Sequence, residues 1–209
     1  MSIIDDLSWR YATKEFDSEK KLSNEQLNSL LESLRLSASS FGLQPWKFVV
    51  VDKQEQKEKL LAHSWNQRQV VDASHVIVLC RPTKFGEEDV IKFVKCTAEM
   101  RNQEIESLEG FKKVMVGFLS RMDEASINAW MKNQIYIALG SLLTVAAHLK
   151  IDACPMEGFI APKYDEVLGL ADHGLSSVVV CPVGFRNDKD KYASLAKIRY
   201  TQDETVLKL

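Results

Sequence analysis

The stretch HVIVLC, residues 75–80, decides the fold class. Five of its six residues are apolar, and a strand that is apolar on both faces belongs at the centre of a sheet that is covered on both sides. Two further stretches have strand character, residues 46–52 and residues 176–182. Long helical segments separate the three strands. The order of elements therefore predicts one sheet with helices around it, of the α+β or the α/β class.

Helical patterns fill the intervals between these strands. A capping box at residues 23–26, followed by leucines at helical spacing, predicts a helix over residues 24–37. Residues 54–63 predict a polar surface helix, and residues 87–122 predict charged helices with a break near 109–110. The segment 123–150 predicts a long helix whose second half is apolar nearly all round. Such a helix should be buried, either in the core or in a subunit interface.

Composition excludes several classes of protein. Of 209 residues, 45% are hydrophobic and 27% are charged, which is typical of a globular protein. The net charge of −2 gives no basic field for nucleic acid. The N-terminus, with two early acids and no basic residue, does not resemble a signal peptide, and the apolar run 135–149 is too short to span a membrane. We therefore expect a cytoplasmic protein with no membrane partner.

The cysteines and the common motifs point away from metal and nucleotide sites. No two of the four cysteines form a CxxC pair, and Cys80, Cys154 and Cys181 lie among apolar residues, which predicts buried reduced thiols. GxGxxG, HExxH and GxSxG are absent from the sequence. The glycine spacing at 169–174 lacks the Lys-Ser of a P-loop. His75 and His148 lie in apolar surroundings and predict structural histidines, so no metal site is expected.

Four short segments carry groups that could bind a ligand. Residues 10–16 hold two cations four positions apart, and residues 197–199 hold two on one face of an extended chain. The loop 39–46 combines hydroxyls with apolar side chains, and the Pro–Gly turn at 155–159 can direct amide groups outward. Each segment also has a simpler explanation, as a solvated loop or tail, a helix exit or a turn. The cations that would form a pocket for one phosphate are Arg10, Lys14, Lys197 and Arg199.

Seven motifs, taken in order, resemble the flavin-dependent nitroreductase family, near the oxygen-insensitive NAD(P)H nitroreductases and flavin reductases. They are RYATKEF at 10–16, SSFGLQPW at 39–46, NQRQ at 66–69, DASHV at 72–76, PMEGF at 155–159, PVGFR at 182–186 and KIR at 197–199. The resemblance runs nearly end to end. It implies an α+β fold with a central mixed, mainly antiparallel sheet flanked by helices. It also implies one FMN-binding domain over residues 1–209, in an intertwined homodimer whose tail from about 186 embraces the partner subunit.

The resemblance implies two tightly bound FMN molecules at the dimer interface, each touched by both chains. Arg10, Lys197 and Arg199 would hold the FMN phosphate. Lys14 would lie near the pyrimidine edge of the ring, where its charge stabilises the anionic reduced flavin. Asn66 would bond the ribityl chain or the ring edge.

The resemblance also assigns roles to the turn at 155–159 and to the loop at 39–42. The amides of Glu157 and Gly158 would face N5 and O4 of the flavin, with Pro155 under the ring. Ser39 and Ser40 would reach the partner's FMN, and Phe41 would lie over the open face. The residues expected to act in catalysis are Lys14, Glu157 and Phe41. Further cofactor-binding positions are Tyr11, Ala12, Gly42, Gln69 and Met156.

Some positions depart from the family pattern. Ala12 stands where close relatives often carry Ser, Gly42 where they often carry Asn, and Gln69 where a cation is common. These changes bear on FMN affinity and on substrate preference. The variable segment 100–125 is expected to cover the site, with Phe111 or Phe118 lining the pocket.

The activity implied is a ping-pong reaction. NAD(P)H reduces the flavin, and a nitroaromatic, a quinone or an oxidised flavin then takes two electrons at the same place. One alternative keeps the fold and changes the chemistry, to another reduction or a dehydrogenation. A second is a flavin-binding protein without reductase turnover, and a third is a cofactor-free interaction module. Oxidation of NAD(P)H with an added quinone separates the reductase from the last two.

Overall fold

In the computed structural model, which describes residues 2–209, strands form one sheet in the order β1-β2-β4-β3. The strands are β1 (Lys47–Val51), β2 (His75–Pro82), β3 (Asp152–Ala153) and β4 (Leu175–Gly184). Neighbouring strands pair antiparallel, and an isolated parallel bridge joins Ala12 to Ala153. The predicted α+β fold is confirmed. The expected central strand is β2, which lies between β1 and β4.

Helices occupy the intervals that the sequence predicted, with different bounds. They are α1 (Ile3–Trp9), α2 (Asn24–Arg35), α3 (Gln54–Leu61), α4 (Gln69–Asp72), α5 (Glu87–Arg101), α6 (Glu109–Leu119), α7 (Glu124–His148), α8 (Ala161–Val167) and α9 (Gln202–Thr205). The capping box at Ser23 is present, and Asp123 caps α7 by accepting from the Ser126 amide at 2.8 Å. The break in residues 87–122 was predicted at the wrong position. Asn102 takes a left-handed conformation and ends α5, and residues 109–110, where the break was expected, begin α6.

The alternation of side chains along β2 divides the core into two layers. Ile77 and Leu79 face one side, where they pack with α2 and α7. Val76, Val78 and Cys80 face the other side, against α3, α4 and α8. Successive residues of a strand point to opposite faces, so an all-apolar strand must be covered twice. A third, smaller cluster lies between α5 and α6.

Cysteines and histidines take structural positions. All four cysteines are free thiols, and Cys80, Cys154 and Cys181 are buried as predicted. Burial raises the pKa of Cys80 to about 12, so this thiol is protonated at neutral pH. His75 contacts the Ser74 hydroxyl, and His148 contacts the Asp6 carboxylate at 2.9 Å. Within residues 2–209, no cluster of three His, Cys, Asp or Glu side chains could hold a metal ion.

One side of α7 is buried and the other is exposed. Met131, Ile135 and Leu142 are fully buried, whereas Ile137 is 47% exposed and Gly140 lies in the open. The apolar side chains Ile3, Ile4 and Leu7 of α1, which packs beside α7, are exposed as well. In the described part of the chain, no helix is both long enough and apolar enough to span a membrane.

Gly184, at the end of β4, is predicted to be intolerant of a side chain. A Cβ there would lie 2.9 Å from the Ser74 amide nitrogen and 3.2 Å from Cδ1 of Phe16. We expect Gly184→Ala to lower the free energy of unfolding by about 1–3 kcal/mol, as overpacking does in well-filled cores. Urea unfolding measures this change. Gly117→Ala in α6 is the matched control, because beyond the neighbouring residues and backbone of its own helix a Cβ there meets no heavy atom of residues 2–209 within 4 Å. Equal stability of the two variants would contradict the close approach at 184.

Candidate functional site

The segment 10–16 leaves α1 and crosses the end of the sheet on fixed contacts. The buried carboxylate of Asp190 accepts hydrogen bonds from the Tyr11 hydroxyl at 2.9 Å and from the amides of Lys14 and Glu15 at 2.9 and 3.1 Å. It also accepts from the Tyr192 amide at 3.0 Å. These bonds fix the main chain at Lys14, whose side chain is exposed.

A second buried carboxylate, Asp152 in β3, holds the same segment from the other side. It accepts from the Thr13 hydroxyl at 3.2 Å and from the amide and Nε of Arg186, each at 2.8 Å. The Arg186 guanidinium lies between two aromatic rings, 4.2 Å from the centroid of Trp9 and 4.6 Å from that of Tyr11. Asp152 and Arg186 thereby join β3, β4 and the segment 10–16.

Three of the four predicted cations lie together. The Lys197 ammonium donates to the main-chain carbonyl of Arg10. Burial and the charge of Arg199 lower the pKa of Arg10, and burial with the charges of Arg10 and Arg199 lowers the pKa of Lys197. Each of these charges therefore acts on the others. Because like charges close together are unfavourable, the group is suited to a bound anion.

Lys14, the fourth cation, acts on the same neighbourhood. Burial raises the pKa of the Cys154 thiol, while the charges of Lys14 and Arg10 lower it. Lys14 and Arg10 are thus both close enough to influence the residue that opens the turn at 155–159. The sequence alone left open whether the segments 10–16, 155–159 and 197–199 meet. In the structure they lie close together.

The turn at 155–159 presents main-chain donors. Met156 exchanges both main-chain hydrogen bonds with Val180, at 2.8 and 3.2 Å, and its side chain is buried. The Phe159 amide donates to the Glu157 carbonyl at 2.9 Å. Within residues 2–209, neither the Glu157 amide nor the Gly158 amide donates a hydrogen bond. Two adjacent free amides on a fixed turn can donate to acceptor atoms of a ligand.

The segment 65–69 packs directly on this turn. Gln67 Nε2 donates to the Gly158 carbonyl at 2.9 Å, and a Cβ at Gly158 would lie 3.0 Å from Cε3 of Trp65. Trp65 and Asn66 both have positive φ, 51° and 56°. Asn66, predicted to contact the cofactor, therefore lies next to the turn.

The loop 39–46 contains a strained aromatic residue. Phe41 has a φ of 56°, which is uncommon for a bulky side chain. Its ring packs edge-on against Phe118 at 5.2 Å and against Phe111 at 6.4 Å. Both aromatic residues proposed from the sequence thus meet Phe41. The Ser40 amide donates to Oε1 of the nearly buried Gln134 at 2.8 Å, which anchors the loop to α7.

The loop and the turn lie on different sides of α7. Gln134 contacts the loop through Ser40, and Tyr136 contacts the turn through Glu157. Residues two positions apart in an α-helix are about 200° apart around its axis. Within one chain, α7 therefore separates Phe41 from Glu157.

Three predicted residues are engaged inside the protein, and their contact with a cofactor stays a prediction. Tyr11 donates its hydroxyl to Asp190, Gln69 begins α4 and is nearly buried, and Met156 is paired with Val180. Ala12 makes its bridge to Ala153, and Gly42 has a φ of 77°, with a Cβ position only 3.2 Å from Phe93.

A cavity of about 830 Å³ lies elsewhere, beside β1. It is lined by Trp46, Phe48 and Phe93 among others, and neither Lys14 nor Glu157 lines it. Four of the predicted site residues instead lie at an open surface, since Lys14, Glu157, Lys197 and Arg199 are all exposed. Such a surface needs a further wall to enclose a small molecule.

The residues that position the site were missed in the sequence. Asp152 is the one acidic residue in the apolar run Ile151–Cys154. An acid in such a run predicts a buried carboxylate that must be hydrogen-bonded, so Asp152 could have been found from the sequence. Asp190 lies in a charged stretch and gave no such signal. Gln134, Arg186 and Gln67 act through contacts distant in sequence.

Comparison with known proteins identifies similar chains. The model of the Nitroreductase family matches residues 7–185. A Staphylococcus epidermidis protein named "Putative NAD(P)H nitroreductase" is 38% identical over an alignment of length 215, which covers 98% of this chain and 96% of that protein.

Solved structures share the fold. The "putative nitroreductase ydfN" from Bacillus subtilis superposes with a TM-score of 0.88 at 21% identity, over 99% of this chain and 98% of its own. A "putative nitroreductase in complex with FMN" from Exiguobacterium sibiricum superposes with a TM-score of 0.84 at 20% identity, over 100% and 98%. At these identities the two structures show the fold alone.

Asp190 is predicted to make the protein sensitive to acid. Burial opposes its ionisation, but the bonds from Lys14, Glu15, Tyr192 and Tyr11 outweigh burial and lower its pKa. A carboxyl with a depressed folded pKa stabilises the fold above its unfolded pKa of about 4, and this stability is lost as pH falls through the folded value.

We expect Asp190→Asn to be about 1–3 kcal/mol less stable at pH 7. The NH2 group of the asparagine side chain is a donor, and it would face the N–H and O–H donors that the carboxylate accepts from. As pH falls below about 4, the variant should lose less stability than the wild type. Chemical unfolding at a series of pH values measures both effects, and the exposed Asp188→Asn is the control. A variant that matches the wild-type profile at every pH would contradict this role.

Proposed function

Because this chain belongs to the nitroreductase family, we propose that it is an FMN-dependent NAD(P)H oxidoreductase. The observation that carries the proposal is the pair of free amides at Glu157 and Gly158, together with the grouped cations Arg10, Lys197 and Arg199. The ring of FMN offers nitrogen and oxygen acceptors, and its phosphate is an anion. The donor set therefore fits both ends of the cofactor.

The roles of the residues follow from this fit. Arg10, Lys197 and Arg199 would bind the phosphate, and the 157–158 amides would bind the acceptor edge of the ring, next to Asn66. Lys14 would supply positive charge beside the ring. When bound, FMN supplies the redox chemistry, accepting a hydride from NAD(P)H and passing two electrons to a nitroaromatic, a quinone or a flavin. No side chain of the site needs to act as an acid or base.

The proposal includes a homodimer that completes the site. Phe41 lies on the opposite side of α7 from Glu157, so the loop 39–42 would contact the partner's FMN. Ser39 and Ser40 would point toward that cofactor. Phe41 would lie over the face of the ring that the electron donor and the acceptor use in turn. The exposed apolar side chains of α1 and α7 would be covered in the dimer. Residues 186–209, in which Ile198 and Leu207 are more than 80% exposed, would embrace the partner. The proposal also includes a single FMN-binding domain over residues 1–209. It places the protein in the cytoplasm, where thiols stay reduced, in keeping with the free cysteines.

A visible spectrum tests the proposal. We expect the purified protein to be yellow, or to become yellow with added FMN, and the flavin band to bleach on anaerobic addition of NADH or NADPH. A quinone or a nitroaromatic should then restore the band. A protein that stays colourless with FMN would overturn the proposal, and a flavin that NAD(P)H never bleaches would leave a flavin-binding protein without reductase turnover.

Arg199→Ala should weaken FMN binding in the same assay. Losing one charge-assisted hydrogen bond costs about 1.5–3 kcal/mol, which is on the order of a 10- to 150-fold rise in the dissociation constant. Titration of the apoprotein with FMN, followed by flavin fluorescence, measures it. Arg101→Ala, at the exposed end of α5, is the matched control. Equal FMN affinity of Arg199→Ala and the control would contradict the phosphate role.

Lys14→Ala should slow reduction of the bound flavin by at least about tenfold, since it removes the positive charge that stabilises the reduced ring. Stopped-flow reduction by NADH or NADPH measures the rate at full FMN occupancy. The dimer should remain folded, because the fixed contact at Lys14 is made by its main-chain amide. Lys53→Ala, another exposed lysine, is the control. Unchanged reduction kinetics would exclude this role for Lys14.

A further inference from the structure

The side chain of Tyr136 connects α7 to the turn at 155–159. Its hydroxyl donates to Oε1 of Glu157. Its ring packs against the apolar core between α2 and α7, and the Lys132 ammonium lies 5.7 Å from the ring centroid. Tyr136 is therefore held by its ring and holds Glu157 by its hydroxyl. The family motifs did not include it.

Tyr136 remains the donor in this pair at neutral pH. Burial and the hydrogen bond to the Glu157 carboxylate both raise the pKa of the Tyr136 hydroxyl above its ordinary range. A protonated phenol donates to a carboxylate, and hydrogen bonds to charged groups are about twice as strong as neutral ones.

The position of the Glu157 carboxylate matters for the cofactor. Glu157 is exposed, and its own amide and that of Gly158 are the free donors of the turn. A carboxylate free to move there could approach the ring and oppose the charge of Lys14. Like charges disfavour one another, so an approaching carboxylate would make a reduced, negatively charged flavin less stable.

We propose that Tyr136 is a positioning residue for the flavin site. Its hydroxyl holds the Glu157 carboxylate against α7, so that the negative charge stays away from the ring while the two amides face it. This inference rests on the proposed function, since it requires FMN beside the turn.

The midpoint potential of bound FMN tests the inference. In Tyr136→Phe the ring still packs, but the Glu157 carboxylate loses its hydrogen-bond donor and is free to move. We expect the equilibrium constant for two-electron reduction to fall threefold to tenfold. At 29.6 mV for each tenfold change, this is a shift of about 14–30 mV to more negative potential. Spectroelectrochemical titration of the fully loaded holoprotein measures it.

Two comparisons separate positioning from a loss of stability. Tyr164→Phe also removes a tyrosine hydroxyl, which contacts the Ser64 hydroxyl at 2.6 Å in the other core layer. This variant should leave the midpoint potential unchanged. In a Glu157→Gln background the charge is absent, so Tyr136→Phe should cause no further shift. Such a double-mutant cycle isolates the Tyr136–Glu157 interaction.

Amide hydrogen exchange supplies a readout that needs no cofactor. Exchange should be at least threefold faster at the amides of Phe159 and Ile160, which donate to the carbonyls of Glu157 and His63, in Tyr136→Phe. The same result is expected in Glu157→Ala, which removes the same contact from the other side if the first variant does not fold. FMN bound at the wild-type potential, with wild-type exchange at the turn, would overturn the inference and leave the proposed function intact. A wild-type chain that takes up no FMN would overturn the proposed function, whereas exchange at the turn would still decide whether Tyr136 holds it.

Discussion

Two buried carboxylates, Asp152 and Asp190, fix the segment on which the cationic site depends. A buried charge without partners is very costly, so each must collect hydrogen bonds from nearby chain. Asp190 takes them from residues 11–15 and from Tyr192, and Asp152 takes them from Thr13 and Arg186. If the segment 10–16 moved away, Asp190 would lose three of its four hydrogen bonds and Asp152 would lose the bond from Thr13. Arg10 and Lys14 are therefore presented on a preorganised backbone, which lowers the entropic cost of binding an anion.

The long helix α7 links the other parts of the site. Its buried side packs on the sheet with α2, while Gln134 holds the loop 39–42 and Tyr136 holds the turn at 155–159. Because both anchors are on one rigid element, loop and turn keep a fixed relation even though they serve opposite sides of the helix.

Local sequence patterns predicted the helices and the main strands, but they could not predict contacts between residues distant in the sequence. The all-apolar stretch of β2 and the caps of α2 and α7 carry their own signals, so the central strand and both helices were predicted correctly. Strand β3 has two residues, too few for a periodicity of two to register. The meeting of Arg10 with Lys197 spans 187 positions. Such a contact depends on tertiary packing, and the motif order could suggest it only through the resemblance to a family.

The backbone at Phe41 shows what the loop is built to present. A left-handed conformation costs an ordinary residue roughly 1–2 kcal/mol and persists only where surrounding contacts enforce it. Here the Ser40 amide is tied to Gln134, Gly42 approaches Phe93 too closely for an easy side chain, and the Phe41 ring is braced by Phe118. A glycine at position 41 would remove the strain and would also remove the ring. The chain places glycine one residue later and keeps the aromatic side chain, so the strain at Phe41 maintains an aromatic surface at the edge of the α5–α6 cluster.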